Sequence, residues 1–303
     1  MGKLHRLLTA FLLAGLATVP SLPAQDSPAT VKKGLFWKAT SGANTLYLLG
    51  SIHIGSKDMY PLPKEFEDAF AASKTLIVEV DIGKVDMQKM QATVLARGMY
   101  GAGDTLWNHV DSDVRKQLEA FCDQYQMPAG MLAMMKPWLV SITVATLPML
   151  KAGMDPNLGI DKYFLDKAEA DGSGKNVVEI ESADMQMNLL SGFSDDVQAK
   201  LLASSVKQAA KSLDQSQKIQ DLWMRGDAAK VEAALHEDAG PPEVEKVLLY
   251  DRNPHMADVA EKYLKGKDQA FLVVGAAHLV GKEGVVSLLE KRGFKVQQVS
   301  LAK

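Results

Sequence analysis

Two segments near opposite ends of the chain share one pattern, an apolar run followed by Gly-x-x-His. The first spans residues 46–53 and the second spans residues 271–278. Apolar runs of this length that end at a glycine are typical of buried strands, and glycine lets the backbone turn sharply or approach another group closely. His53 and His278 are therefore each expected just beyond the carboxyl end of a buried strand.

The predicted strands cluster at the two ends of the sequence, and the middle is mainly helical. A strand, a helix and a second strand follow one another over residues 45–80, which indicates a βαβ unit with parallel pairing. Further strands are predicted at 176–180, at 270–274 and from Phe294 onward. We therefore expect a mixed α/β fold, whose central mixed sheet is formed by N- and C-terminal segments, with a large helical insertion over about 85–265.

The first 24 residues have the three-part order of a secretory signal peptide. Two basic residues precede an apolar run over residues 7–19, and a short segment with two prolines ends at Ala24, after which we expect cleavage. The apolar run is shorter than the ~20 residues of a membrane span; an uncleaved anchor is the alternative. The sequence thus predicts an exported protein, periplasmic or secreted, with a flexible leader over 25–34 and a single domain over 35–303.

Composition limits the classes of partner. Hydrophobic residues make up 47% and charged residues 23% of the 303 residues, as in soluble globular proteins. The net charge of −3 and the lack of a dominant basic patch make nucleic acid a poor partner. The single cysteine, Cys122, cannot form an intramolecular disulfide and falls on the apolar face of a predicted helix. Residues 131–150 are strongly apolar, but a lysine and two prolines there argue against a stable membrane span.

A carboxylate accompanies the two histidines. Glu79 lies in the predicted strand over residues 75–80, and a buried strand has little reason to carry a carboxylate without a partner. Ligands bind at the carboxyl edge of open α/β sheets, and two imidazoles with one carboxylate can hold a first-row divalent metal while leaving positions open for water and substrate. The alternative is that both histidines are ordinary loop residues and that Glu79 pairs with a basic neighbour.

Around these residues the sequence resembles the TraB/GumN family, which includes the Tiki proteases. The resemblance covers residues 35–300 and lies first in the paired Gly-x-x-His motifs, in Glu79 and in a C-terminal Gly-x-x-Gly that begins at Gly281. Other matching positions are Lys136-Pro137-Trp138, Gly159-Ile160-Asp161, Ile180-Glu181 with Gln186, Trp223 with Gly226-Asp227, and Arg252-Asn253 with Met256. Members of the Tiki branch are metal-dependent proteases that trim peptide ends. The resemblance implies that His53, Glu79 and His278 are metal or catalytic positions.

Arg252 is a candidate catalytic residue with two open interpretations. Its guanidinium suits a substrate carboxylate or a developing oxyanion. Alternatively, it forms a salt bridge to a carboxylate, with three candidates: Glu79, Asp81 and Glu181. Glu181 ends the third predicted strand, where it can either bind the metal or support another ligand. The candidate supporting residues are Gly50, Gly275, Glu181 and Asn253.

The function predicted from these residues and from the resemblance is metal-dependent hydrolysis. We expect a Tiki-like metalloprotease that acts on peptides or proteins outside the cytoplasm and uses Mn, Co or Zn. His53 and His278 would hold the metal, and Glu79 would act either as a third ligand or as the general base. One alternative is a non-catalytic peptide- or haem-binding protein of the same fold, and another is an esterase of related architecture.

Overall fold

The structure is a computed structural model that describes residues 33–42, 44–237 and 240–299. The predicted signal peptide and the leader up to residue 32 lie outside the described residues. The first described residues already contact the domain, because the Lys33 backbone N–H donates to the Met224 carbonyl at 2.6 Å and Leu35 is fully buried.

In the described part of the chain, six strands form one mixed sheet in the order β4–β3–β5–β2–β1–β6. Their bounds are β1 Phe36–Ser41, β2 Asn44–Ser51, β3 Thr75–Val78, β4 Asn176–Glu179, β5 Ala270–Gly275 and β6 Lys295–Gln298. Neighbouring strands from β4 to β2 pair in parallel, whereas β1 is antiparallel to both β2 and β6. This arrangement confirms the predicted α/β fold, with strands from both ends of the chain side by side in one mixed sheet.

The register of the parallel strands brings their carboxyl ends to one edge of the sheet. β5 lies between β2 and β3, and all six of its residues are buried, as expected for a strand enclosed on both faces. Ser51 at the end of β2 pairs with Gly275 at the end of β5, and Val78 at the end of β3 pairs with Val273. The residues that follow these three strands therefore meet at the same edge.

Helices connect the strands and fill the middle of the chain. Their bounds are α1 Lys64–Ala72, α2 Met87–Gly98, α3 Ser112–Tyr125, α4 Ala129–Ala133, α5 Pro137–Lys151, α6 Ile160–Glu169, α7 Ala183–Ser191, α8 Asp195–Gln208, α9 Ser212–Arg225, α10 Ala228–His236, α11 Pro242–Glu245, α12 Asn253–Leu264, α13 Ala276–Leu279 and α14 Val285–Lys291. A π-helix over Lys246–Tyr250 separates α11 from α12. Among the described helices, none combines the length and the apolar character required to cross a membrane.

The buried apolar side chains of the described residues form two clusters. One surrounds the sheet and includes side chains of α1, α6 and α12. The other lies within the helical middle, where α3, α5 and α8 pack together and Cys122 is 2% exposed. Helix α9 ends at Gly226, whose φ of 70° is the left-handed conformation that commonly ends helices at glycine.

Strand β1 is the main element that the sequence did not predict. Its segment is short and mixes apolar with polar residues, so it shows no clear strand periodicity. In the structure, β1 covers the outer side of β2 and pairs in turn with β6. The other strands are all present within one or two residues of their predicted bounds.

Candidate metal centre

The structure brings His53, Glu79 and His278 together at the carboxyl edge of the sheet. Nε2 of His53 lies 3.9 Å from Oε1 of Glu79, and Nε2 of His278 lies 3.9 Å from the same oxygen. The two nitrogens are therefore separated by no more than twice that distance. The three candidate ligands that were inferred from strand ends and from the resemblance thus face one another in the fold.

Their positions follow directly from the strand register. His53 comes two residues after β2, Glu79 comes directly after β3, and His278 lies on α13, which begins immediately after β5. A Cβ atom built on Gly275 would lie 3.0 Å from Nε2 of His53, 3.2 Å from Oε1 of Glu79 and 3.5 Å from Cδ2 of His278. The three side chains therefore surround the Cα of Gly275, and the missing side chain leaves space between them.

Gly50, the glycine of the first motif, is required for a different reason. A Cβ atom at this position would lie 3.0 Å from the Cα atom of Ala276 and 3.2 Å from its Cβ atom. Gly50 thus allows β2 to approach the start of α13. The first glycine lets the two motifs pack together, and the second keeps the space between the candidate ligands open.

Asn253 fixes the orientation of the His278 ring. The Asn253 Nδ2 donates to the Glu283 carbonyl at 2.8 Å, so its Oδ1 faces Nδ1 of His278 at 2.7 Å as an acceptor. Nδ1 of His278 must then carry the proton, and Nε2 faces the site with a free lone pair. Asn253, predicted as a supporting residue, lies in contact with a candidate ligand.

Asp161 contacts Nδ1 of His53, as Asn253 contacts Nδ1 of His278. Its Oδ1 lies 3.0 Å from Nδ1 of His53 and also accepts a hydrogen bond from the Ser51 hydroxyl. Sequence reasoning assigned no role to Asp161 or Ser51. The signal for Asp161 was its place in the Gly159-Ile160-Asp161 segment that matches the family pattern, although only the fold shows which histidine it contacts.

Arg252 binds two carboxylates at once. Its Nη2 donates to Oε2 of Glu79 at 2.9 Å and to Oε2 of Glu181 at 2.7 Å, and its Nε donates to Oε1 of Glu181 at 2.9 Å. Of the three salt-bridge partners considered for Arg252, the structure shows two. The third, Asp81, accepts instead from Nζ of Lys84.

Gln186 completes the hydrogen bonds around the carboxylates. Its Nε2 lies 3.2 Å from Oε2 of Glu79 and 3.1 Å from Oε2 of Glu181. Glu181 is fully buried, with a side chain that is 0% exposed, and its oxygens face Arg252 and Gln186. Glu181 therefore lies behind Glu79 in the structure, and Glu79 presents its Oε1 to the two imidazoles.

Comparison with known proteins identifies the family of this chain. A model of the TraB/PrgY/gumN family matches residues 35–298, which is most of the chain. The chain belongs to the TraB/PrgY/gumN family. This assignment confirms the resemblance drawn from the motifs, and the candidate site lies within the matched region.

Relatives in this family are similar over most of their length. YbaP of Escherichia coli K12, described as an uncharacterized protein, is 24% identical over 248 residues, which cover 82% of this chain and 89% of YbaP. YbaP of Shigella flexneri is 24% identical and covers 80% of this chain and 87% of its own length. An uncharacterized protein of Treponema pallidum is 20% identical, with coverage of 94% and 90%. No solved structure matches the chain.

The charges around this TraB/PrgY/gumN site keep Glu79 ionised and distinguish the two imidazoles. Burial opposes the charged carboxylate, but the positive charges of His53 and Arg252 and the hydrogen bond from the Gly275 N–H outweigh it and hold the pKa of Glu79 below its ordinary value. Burial lowers the pKa of His278 to about 4. The His53 side chain is half exposed, but the ring atoms that face the site are partly removed from water, which opposes their charge. The carboxylates of Asp161 and Glu79 outweigh this effect and raise the pKa of His53 to about 9.

The donor set fits a divalent ion after a small contraction. Within the described residues, no group of three or more His, Cys, Asp or Glu side chains is close enough, as it stands, to hold a metal. Two N or O donors on a tetrahedral ion, with bonds of ~2.0–2.2 Å, lie ~3.3 Å apart, so each 3.9 Å separation must shorten by ~0.6 Å. His53, whose side chain is 55% exposed, has room to make this movement.

Proposed function

We propose that this protein is a metal-dependent hydrolase that acts on peptides, and that His53, His278 and Glu79 hold a divalent ion of Mn, Co or Zn. One observation carries the proposal. Two imidazole Nε2 atoms face a single carboxylate oxygen, while Nδ1 of each ring is hydrogen-bonded on its far side. Metal-binding histidines almost always have such a partner on the opposite nitrogen.

The site leaves room for substrate on one side. A divalent ion bound there would polarise a substrate carbonyl and lower the pKa of a water molecule. His278 and Glu79 are 7% and 11% exposed at their side chains, whereas His53 is 55% exposed. Substrate would therefore approach from the His53 side, and the buried residues would form the rigid floor of the site.

The hydrogen bonds of Glu79 favour a role as ligand over a role as general base. Its Oε2 is taken up by Arg252 and Gln186, and its Oε1 accepts from the Gly275 backbone N–H while facing both imidazoles. A carboxylate with a depressed pKa is a weak base. We assign Arg252 to holding Glu79 in this ionised and oriented state, because Glu79 and Glu181 already occupy its donors.

Peptides are the favoured substrate class because the family that the sequence resembles includes the Tiki branch, whose members are metal-dependent proteases. We propose that this activity lies outside the cytoplasm, in the periplasm or in the medium, and the N-terminal pattern of an export signal supports this location. A non-catalytic peptide- or haem-binding role and an esterase activity are the alternatives that the experiment must separate.

The proposal is tested by hydrolysis of a mixed peptide library with added Mn²⁺, Co²⁺ or Zn²⁺, and again with a chelator. We expect turnover that depends on one of these ions and that is lost in His53→Ala and His278→Ala. The matched control is His255→Ala, which removes an exposed histidine on the first turn of α12 and should retain full activity. Glu79→Gln should lose both metal affinity and activity if Glu79 is a ligand; loss of activity alone would make it the general base.

Other outcomes would point to the alternatives. Metal-dependent cleavage of simple esters without cleavage of any peptide would favour the esterase. Binding of peptide or haem by the wild type and by both histidine variants, without turnover in any condition, would contradict the hydrolase and favour a binding protein.

A further inference from the structure

The two Gly-x-x-His motifs are alike in sequence but hold their histidines differently. Ser51 follows the glycine of the first motif, whereas Ala276 takes this place in the second. The Ser51 hydroxyl donates to Oδ1 of Asp161 and accepts from the Asp161 backbone N–H at 3.0 Å. Ser51 therefore fixes a carboxylate beside the first histidine, and the alanine of the second motif has no group that could do the same.

The backbone reinforces the position of Asp161. Asp161 is the second residue of α6, and the N–H of Ile160 donates to the Ile52 carbonyl at 3.1 Å. A Cβ atom on Gly159 would lie 2.6 Å from the His53 carbonyl oxygen, so this glycine permits a close approach of the two segments. The start of α6 is thereby fixed against the loop that carries His53, and Asp161 reaches the ring from a held position.

We propose that Asp161 is the positioning residue for His53, holding its ring so that Nε2 points at the site proposed above for a divalent ion. This inference rests on the proposed function. His53 depends on such a partner more than His278, because burial restricts the His278 ring while more than half of the His53 side chain is exposed. The Nδ1–Oδ1 hydrogen bond of 3.0 Å therefore contributes a larger share of the orientation of His53.

The hydrogen-bond partners of the two histidines also differ in charge. Asp161 is a carboxylate and Asn253 is a neutral amide. A charged acceptor forms the stronger hydrogen bond and makes the opposite ring nitrogen a better donor to a metal. Asp161 thus compensates for the exposure of His53 and makes this histidine a strong ligand on the open side of the site.

Metal affinity is the first test. The probes are Zn²⁺, Mn²⁺ and Co²⁺, whose binding to the full chain is measured by competition with a chelating dye. Asp161→Ala should weaken binding by ~10–100-fold, the usual effect of losing such a partner, and Asp161→Asn should weaken it less because an amide oxygen still accepts the ring N–H. Ser51→Ala should fall between the wild type and Asp161→Ala. The matched control is Asp166→Ala, which removes an exposed carboxylate from the same helix.

Orientation of the ring is the second test and needs no metal. In the metal-free wild type, the hydrogen bond to Asp161 should slow the exchange of the His53 Nδ1 proton with water, so that this proton gives a resonance by NMR. The resonance is assigned by its loss in His53→Ala. The same signal should persist in Asp161→Asn and in Asp166→Ala and should disappear in Asp161→Ala. Circular dichroism shows whether each variant is folded. If Asp161→Ala does not fold, the metal affinities of Asp161→Asn and Ser51→Ala, both expected to lie below that of the wild type, still test the proposal.

The outcomes separate the positioning role from the proposed function. Persistence of the Nδ1–H signal in Asp161→Ala, or equal metal affinities for the wild type and all variants at these two positions, would overturn the positioning role. If the wild type bound none of the three ions, the proposed function would fail, while loss of the signal in Asp161→Ala would still support the orienting contact.

Discussion

Gly275→Ala adds a single methyl group at the centre of the candidate metal centre. The backbone at Gly275 has φ −48° and ψ 136°, a conformation open to residues with a side chain. The substitution therefore introduces no backbone strain, and its effect comes from the new methyl group alone.

The distances set the size of the effect. The methyl carbon would lie 3.0 Å from Nε2 of His53 and 3.2 Å from Oε1 of Glu79, so each side chain must move outward by a few tenths of an ångström. His53 is half exposed and can move, so we expect a stability loss at the lower end of the ~1–3 kcal/mol of overpacked sites. This outward movement of His53 and Glu79 opposes the ~0.6 Å by which the separations between the donor atoms must shorten around a metal. Metal affinity should therefore fall by ~10–100-fold.

The assay compares metal affinity, from chelator competition, with thermal denaturation of the metal-free protein. Gly130→Ala is the matched control, because no atom lies within 4 Å of the added Cβ in α4. This control should bind metal normally and gain up to ~1 kcal/mol of stability from the higher helix propensity of alanine. Wild-type metal affinity in folded Gly275→Ala would refute the reasoning.

Three further predictions concern the surrounding structure. Trp223→Phe removes the indole N–H that donates to the Gly50 carbonyl at 2.6 Å and should lower the free energy of unfolding by about 1–3 kcal/mol; an unchanged urea midpoint would contradict this. Arg252→Lys leaves fewer donors for two buried carboxylates, and its stability loss in urea should approach the about 3–5 kcal/mol of a broken buried ion pair; a loss under about 1 kcal/mol would make the bidentate contacts unimportant. Side-chain hydrogen bonds from Asn108 and from His109 lower the pKa of Asp104. The stability that these bonds contribute is therefore present above pH ~4 and is lost as the pH falls through the lowered pKa. The stability difference between wild type and Asp104→Asn should therefore shrink in acid, and a difference that does not change between pH 7 and pH 3 would count against it.

The sequence predicted the fold class because its strong signals come from buried parallel strands. The segments that became β2, β3 and β5 are nearly continuous apolar runs, since helices cover both faces of such strands. β1 was missed because its residues mix apolar and polar side chains without a clear period, and its antiparallel pairing with β2 requires no continuous apolar run. The order of the strands in the sheet could not be predicted from the sequence, because β5 lies between β2 and β3 although residues 79–269 separate it from β3 along the chain.

In the candidate site, the sequence predicted the three ligands but not which residues hold the two histidines. His53, Glu79 and His278 could be predicted because each follows an apolar strand, and the ends of parallel strands meet at one edge. The partners Asp161 and Asn253 could not be paired with their histidines from spacing, since each comes from the start of a distant helix. Their roles depend on how those helices pack, which no local sequence pattern encodes.

The measurement that tests the central claim most directly is the metal content of the full chain. Wild type, His53→Ala, His278→Ala and the control His255→Ala are purified without chelator, dialysed against Zn²⁺, Mn²⁺ or Co²⁺, and analysed for bound metal by elemental mass spectrometry. The account predicts a single ion per chain in the wild type and the control, and none in folded His53→Ala or His278→Ala. A wild type that binds no ion, or both site variants retaining a full equivalent, would contradict it.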